Sequence, residues 1–297
     1  MEFRLTDVRT LAMGLAFAAF WGSAFSSARI IVQDAPPLTA LSFRFLISGL
    51  IALAIARFSG RLRPVSLVRW RAIVLFGVCQ NALYLGLVFV AVQVIEASIA
   101  AIIASTMPLI VALASLVLLN QGLERKGVFG VLVGFLGVSL VLASRMTGQA
   151  TMWGLLLCIV SVLSLSVATM TIRSLDVGRN MFQVIGLQML VGSAVLFPFG
   201  VALEPLSVTW SVPLFLAFTY TTLVPGLLAT WIWFSLVERA GATRAATFHF
   251  LHPFFGVVTA AVLLGESLSL LDVVGVVTIM IGILAVVTSR PVHRAPI

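Results

Sequence analysis

The chain has 297 residues, 61% of them apolar and 9% charged, with a formal net charge of +8. Soluble proteins carry about 25% charged residues, so no solvated surface can be built from this sequence and a water-soluble protein is excluded. The basic excess includes no compact Lys/Arg tract with interleaved aromatics, so it fits the cytoplasmic loops of a membrane protein better than nucleic-acid binding.

Dividing the chain at charges, Pro and Gly yields ten segments near the roughly 20 apolar residues that span a bilayer. They run about 10–32, 38–57, 71–93, 97–119, 127–144, 151–172, 181–203, 213–237, 243–264 and 271–289. The first apolar run is too long for a signal-peptide core and has no obvious cleavage site, so it is expected to be a transmembrane helix. It carries Trp21, far from either predicted end. The second carries Arg44, about two turns in. This lone deep cation is expected to snorkel to the interface or to pair with Asp34, Glu96 or helix carbonyls, outside any substrate site.

The third segment reads "GVCQNALYLG". Asn81 and Tyr84 share a face, and Gln80 lies one turn from Tyr84. Three polar groups in five residues exceed what helix packing requires and predict a cavity lining, against the alternative of interhelical hydrogen bonds. Pro108, Pro225 and Pro253 fall in the fourth, eighth and ninth segments, where each either bends its helix or sets a fixed curve. Trp231 and Trp233 lie deep in the eighth; each alone is explained by packing, but with Trp21 they form a candidate aromatic lining. In the ninth, His249, His252, Gly256 and Thr259 share one face, which should turn away from lipid. Its histidines either line a cavity or bond between packed helices. Trp70, Trp153 and Trp210 sit near predicted ends and read as interface anchors.

With the N-terminus in the cytoplasm, fifteen of the basic residues, among them Arg4, Arg57, Arg63, Arg125, Arg173, Arg239, Arg244, Arg290 and Arg294, fall on or near the inner side. Arg29 and Arg145 fall outside. Such asymmetry is what the positive-inside rule expects, and an extra or missing helix would scramble it. The acidic residues, including Glu2, Asp7, Asp34, Glu96, Asp176, Glu204, Glu266 and Asp272, all fall at helix ends or in loops. Without a carboxylate at depth, a proton relay is disfavoured and facilitated diffusion is expected. Glu266 or Asp272 should serve the N-terminus of the tenth helix.

"LLNQGLERKGVFG" (118–130) and "LLGESLSLLDVVG" (263–275) correspond at an offset of 145 residues, which also places Pro108 on Pro253, Gly137 on Gly282 and Ser144-Arg145 on Ser289-Arg290. Two five-helix halves, about 1–148 and 149–297, follow. Five is odd, so the halves are inverted, an arrangement typical of transporters with a site near the midplane.

"FWGSAFSSAR", "SFRF", "ASIAAIIASTMPL" and "LLGE" resemble the EamA-type drug/metabolite transporter superfamily over nearly the whole chain, most nearly its amino-acid exporters. The resemblance implies an all-α polytopic membrane protein with ten transmembrane helices as two inverted repeats around a central cavity, working by alternating access. It departs from the family pattern where the first half has "LLNQ" in place of "LLGE". The expected cargo is an aromatic or neutral amino acid or similar metabolite, with a multidrug, organic-cation or nucleobase exporter as the alternative. The candidate binding residues are Trp21, Gln80, Asn81, Tyr84, Trp231, Trp233, His249 and His252. An anion antiporter would want more midmembrane Lys or Arg than Arg44 alone.

An intramembrane enzyme would rest only on His249/His252 and a nearby Ser, and the expectation is no catalysis. Cys79 and Cys158 read as free packing residues. No metal site, cofactor or nucleic-acid partner is expected; the partners are the bilayer and a small-molecule substrate, and a monomer is possible. The expected location is the bacterial cytoplasmic (inner) membrane with both termini inside.

Overall fold

Hydrocarbon offers no partner to a backbone N–H or C=O, so a chain this apolar must satisfy them within helices. The computed structural model describes residues 8–118, 121–145, 152–171, 180–240, 245, 248–289 and 291–293. Within them run α1 (Val8–Asp34), α2 (Pro37–Phe58), α3 (Leu67–Ala91), α4 in two pieces (Ala97–Ala104 and Met107–Leu118), α5 (Arg125–Arg145), α6 (Met152–Thr171), α7 (Met181–Leu203), α8 (Val212–Ala240), α9 (Phe248–Leu264) and α10 (Leu270–Val287). Among the described residues nine helices are long and apolar enough to cross a membrane, and α9 is apolar but shorter. The protein is an all-helical, multi-pass membrane protein. Arg4, Arg173, Arg179, Arg244, Arg290 and Arg294, with Glu2, Asp7, Asp176 and the expected start of the ninth helix, lie outside the described residues.

The distribution of side chains is inverted relative to a soluble protein. Leu132, Phe199, Phe215 and Val262 are 55–76% exposed, while Ser26, Ser48, Ser161, Gln188 and Thr221 are buried. The buried hydroxyls close onto carbonyls: Thr221 Oγ1 donates to Ala217 O at 2.6 Å and Ser161 Oγ to Cys158 O at 2.7 Å. Trp153 and Trp210, at the starts of α6 and α8, are 63% and 84% exposed.

Helix packing follows the repeat. α2 lies along α7 and α5 along α10, so each meets the helix it aligns with. A Cβ at Gly130 would sit 2.7 Å from the Gly282 carbonyl oxygen, and one at Gly137 2.8 Å from that of Gly275. Aligned glycines therefore meet crosswise, as a two-fold relation between α5 and α10 requires, and only glycine lets the backbones approach this closely. α1 packs on α8 and α9, as α6 packs on α3 and α4. α3 and α8 also each contain a π-helical stretch, Gly77–Leu85 and Thr222–Ala229, whose starts are separated by the same repeat offset.

The carboxylates lie at helix ends, but with unexpected partners. Glu266 does not serve α10. Its carboxylate accepts the Ala97 and Ser98 N–H groups at 2.8 and 3.1 Å and so caps α4, in the other half of the chain. α10 has its own capping box, with the Asp272 N–H donating to Ser269 Oγ at 3.1 Å and the Ser269 N–H to Asp272 Oδ2 at 2.8 Å. The alignment showed that Glu266 ends a helix; it could not show which neighbouring helix start would be exposed to it. Glu204 caps α2 in the same way, accepting from the Leu38 and Thr39 N–H groups at 2.7 and 2.9 Å. Asp34, Glu204 and Glu266 thus mark one end of the bundle, the acidic end; Arg57, Arg63, Arg125 and Arg239 mark the other, basic end.

Two expectations need revision. The predicted single helix 97–119 is interrupted at Ser105-Thr106. Pro108 has no N–H to offer the Ala104 carbonyl, and the Ser105 and Thr106 hydroxyls turn back to Ala101 O and Ile103 O at 2.6 and 2.7 Å. Pro253 is likewise not in a helix interior: it is the second residue of the α-helical part of α9, after a 3₁₀ turn at Phe248–Leu251, a position where its missing donor does no harm. The all-helical reading also omits one short antiparallel pair, β1 (Gln121–Leu123) with β2 (Pro291–His293), which joins the α4–α5 connection to the chain beyond α10.

The glycine contact between α5 and α10 generates a stability prediction. Gly137→Ala should destabilise the protein by about 1–3 kcal/mol, read as a lower thermal midpoint in detergent. Gly86→Ala, whose added methyl meets only the flexible ends of Leu196 and Leu38, should change it little. Equal midpoints for the two variants would contradict the crosswise packing.

Candidate substrate cavity

A central cavity opens between α1, α2, α3, α4, α6, α7, α8 and α9, built around the breaks in regular helix. The two π-helical stretches and the interruption of α4 all border it. π-Bulges displace side chains and free backbone groups, and they occur often at functional sites. In α8 the cause is Pro225, which cannot donate to the Thr221 carbonyl four residues earlier.

One wall is aromatic. Phe17 and Trp21 of α1, Trp233 of α8, and His249 and His252 of α9 form a continuous cluster. Phe17 stacks on Trp233 at 5.0 Å between ring centroids, Trp233 meets His249 edge-on at 4.8 Å, and the two imidazoles lie 4.5 Å apart. Trp21 lies parallel to His252 at 6.2 Å. Such offset and edge-to-face contacts rigidify the wall beyond simple burial. His252 Nε2 is buried without a hydrogen-bond partner. The rest of the shared α9 face packs on α1: Thr259 Oγ1 accepts from Ser26 Oγ at 3.2 Å, and Gly256 touches Gly22.

A polar part of the wall comes from α3. Gln80, Asn81 and Tyr84 all border the cavity and are all buried. Asn81 is held in place: its Nδ2 donates to Gln188 O at 2.8 Å and Gln188 Oε1 at 2.9 Å, joining α3 to α7. Asn81 thus borders the cavity and also bonds between helices. Gln80 makes no hydrogen bond among the described residues, so its amide is open to the cavity.

Of the eight candidate residues, seven border the cavity and Trp231 does not. It is 39% exposed on the outside of α8. Two residues along a helix correspond to about 200° of rotation, so Trp231 and Trp233 cannot face the same way. Pro108 and Pro225 border the cavity, and Pro253 does not. Among the polar lining residues outside the expected set are Gln188 and Arg44. Gln188 could have been flagged as an amide in an apolar segment. Arg44, expected either at the interface or paired with Asp34, Glu96 or helix carbonyls, is 4% exposed, donates to the Thr221 carbonyl and borders the cavity. Cys79 and Cys158 are free and buried, and no cluster of potential metal ligands occurs among the described residues.

Among the described residues, apolar helices with paired π-segments enclose a central cavity, and comparison with known proteins names the family. The profile of the EamA-like transporter family matches twice, at residues 8–143 and 152–288, and the chain belongs to that family. It is similar to the uncharacterized transporter YvbV of Bacillus subtilis (strain 168), 24% identical over 98% of this chain and 96% of that protein. It is 25% identical to the uncharacterized inner membrane transporter YedA of Escherichia coli (strain K12), over 93% and 90% of the two chains. One solved crystal structure shares the fold with a TM-score of 0.66 and 20% identity, covering 93% of this chain and 96% of that one.

The lining predicts thiol accessibility. With Cys79 and Cys158 replaced, a cysteine at Thr230, which borders the cavity, should react with a small charged methanethiosulfonate at least about tenfold faster than one at the neighbouring Trp231, because thiolate formation requires water. Equal rates would contradict the assignment of these two positions.

Proposed function

We propose that this protein exports aromatic or neutral amino acids, or similar small metabolites, across a bacterial cytoplasmic membrane. Its two halves, about 1–148 and 149–297, would alternate access to the cavity without coupling to an ion. The observation that carries this reading is the cavity wall: five rings in mutual contact share it with buried amides, and no Asp or Glu is among the described lining residues. Rings receive an apolar side chain, amides bond amino and carboxylate groups without adding charge, and a wall without carboxylates offers no proton-carrying acid. The sequence resemblance to YddG-type amino-acid exporters supports the substrate class. The inner-membrane name of YedA and the concentration of arginine at one end support the location, with the basic end and both termini in the cytoplasm.

A flat organic cation or nucleobase is the second reading, favoured by the cation–π capacity of the Trp21 and Trp233 faces. It is weakened by Arg44, the one formal charge among the described residues of the wall and a cation itself.

Counterflow in sealed proteoliposomes tests the proposal. Labelled Phe should enter vesicles preloaded with unlabelled Phe, saturably, and an imposed proton or sodium gradient should not concentrate it. Flux absent for every amino acid and cation tried would sink the transport reading, and uphill accumulation would refute uniport. Trp233→Ala should raise the KM for Phe by about tenfold, the equivalent of about 1.4 kcal/mol of lost ring contact, while Trp231→Ala leaves it unchanged.

A further inference from the structure

Among the described residues, Arg44 is the only formally charged one that borders the cavity. Part of its role is structural. Nε donates to the Thr221 carbonyl at 3.1 Å, the group to which Pro225 has no N–H to donate. Ser48 Oγ does the same for the Thr222 carbonyl at 3.0 Å. The guanidinium carbon lies 5.0 Å from the centroid of the Phe45 ring, also in the cavity wall.

This accounts for Nε and for the plane of the guanidinium, but not for its fork. The two Nη groups make no hydrogen bond among the described residues, and no carboxylate pairs with them. The backbone beside them carries no side chain: a Cβ added at Gly226 would lie 3.4 Å from Nη2. A buried guanidinium without a counter-charge is costly, most of all inside a membrane, where such a group marks a functional site by default. An anion of matching shape relieves that cost, and the planar fork matches a carboxylate through two parallel N–H···O bonds.

We infer that Arg44 anchors the carboxylate of the transported molecule. The inference rests on reading the cavity as the substrate site and narrows the cargo to acids. The anionic group binds at α2 and α8, toward the acidic end of the bundle. The apolar or aromatic part lies against the rings of α1, α8 and α9, and the open Gln80 amide is available to a further polar group. A molecule with the same rings but no carboxylate lacks the anchor.

Binding to purified protein in nanodiscs, read by calorimetry and by Trp fluorescence, tests this with three probes: phenylalanine, 3-phenylpropionate and the neutral 3-phenylpropanamide. 3-Phenylpropionate should bind at least about tenfold more tightly than its amide. Arg44→Gln should abolish that preference, and Arg44→Lys, a point charge without the fork, should keep only part of it. Any loss of stability from freeing the Thr221 carbonyl affects acid and amide alike, so their ratio isolates the anchor. Equal binding of acid and amide to the unaltered protein, an acid preference that survives Arg44→Gln, or no binding of either acid would each overturn the inference. Binding of 3-phenylpropionate without binding or counterflow of phenylalanine would keep the anchor and sink the amino-acid reading. Phenylalanine counterflow indifferent to Arg44→Gln would do the reverse.

Discussion

The structure depends on one constraint: in hydrocarbon, each polar group must find its partner within the chain or not be there. The helix ends show it first. Glu204 and Glu266 take up the first N–H groups of α2 and α4, helices distant in sequence, where water would otherwise be needed. The helix breaks show it again. Where Pro225 and Pro108 leave carbonyls without their usual donors, hydroxyls and Arg44 are drawn in around them. Inside a molecule that satisfies most of its polar groups, the unused ones stand out, His252 Nε2 among them. The Nη groups of Arg44 and the amide of Gln80 lie in the wall of one cavity.

The two halves share a scaffold but not a lining. Crosswise glycines between α5 and α10 and the paired π-stretches of α3 and α8 keep the two-fold relation. The positions that correspond to the aromatic wall at the repeat offset are smaller or aliphatic: Val88 for Trp233, Ala104 for His249, Met107 for His252 and Ser166 for Trp21. Met189 stands where a second Arg44 would be. A symmetric frame suits two conformations of similar energy, which alternating access needs. An asymmetric lining suits a ligand whose two ends differ chemically.

Much of this was legible in the sequence because membrane helices are read by length and charge. The ten segments and the alignment of Pro108 with Pro253 needed no coordinates. Partners and faces were less legible. Glu266 is recognisable as a residue at a helix end, but its partner α4 lies far away in the chain and becomes a neighbour only through packing. Trp231 and Trp233 are equivalent by depth, and only the rotation of α8 separates them. For Arg44 the sequence leaves the interface and a helix carbonyl both open, because a long side chain near a helix start can reach either; in the folded bundle the Thr221 carbonyl holds it inward, beside the cavity. Gln188 is a single amide in an apolar segment, and its pairing with Asn81 depends on how α3 crosses α7.

The central claim is that cargo binds in this cavity, with its charged end at α2 and its apolar end at the rings. A crystal structure with 4-bromophenylalanine tests it most directly, because the bromine can be located by its anomalous signal. The account predicts one peak against Trp21, Trp233 and His249, with carboxylate density at Arg44. A peak confined to the outer apolar surface, or a ligand in the cavity with its carboxylate turned away from Arg44, would contradict it.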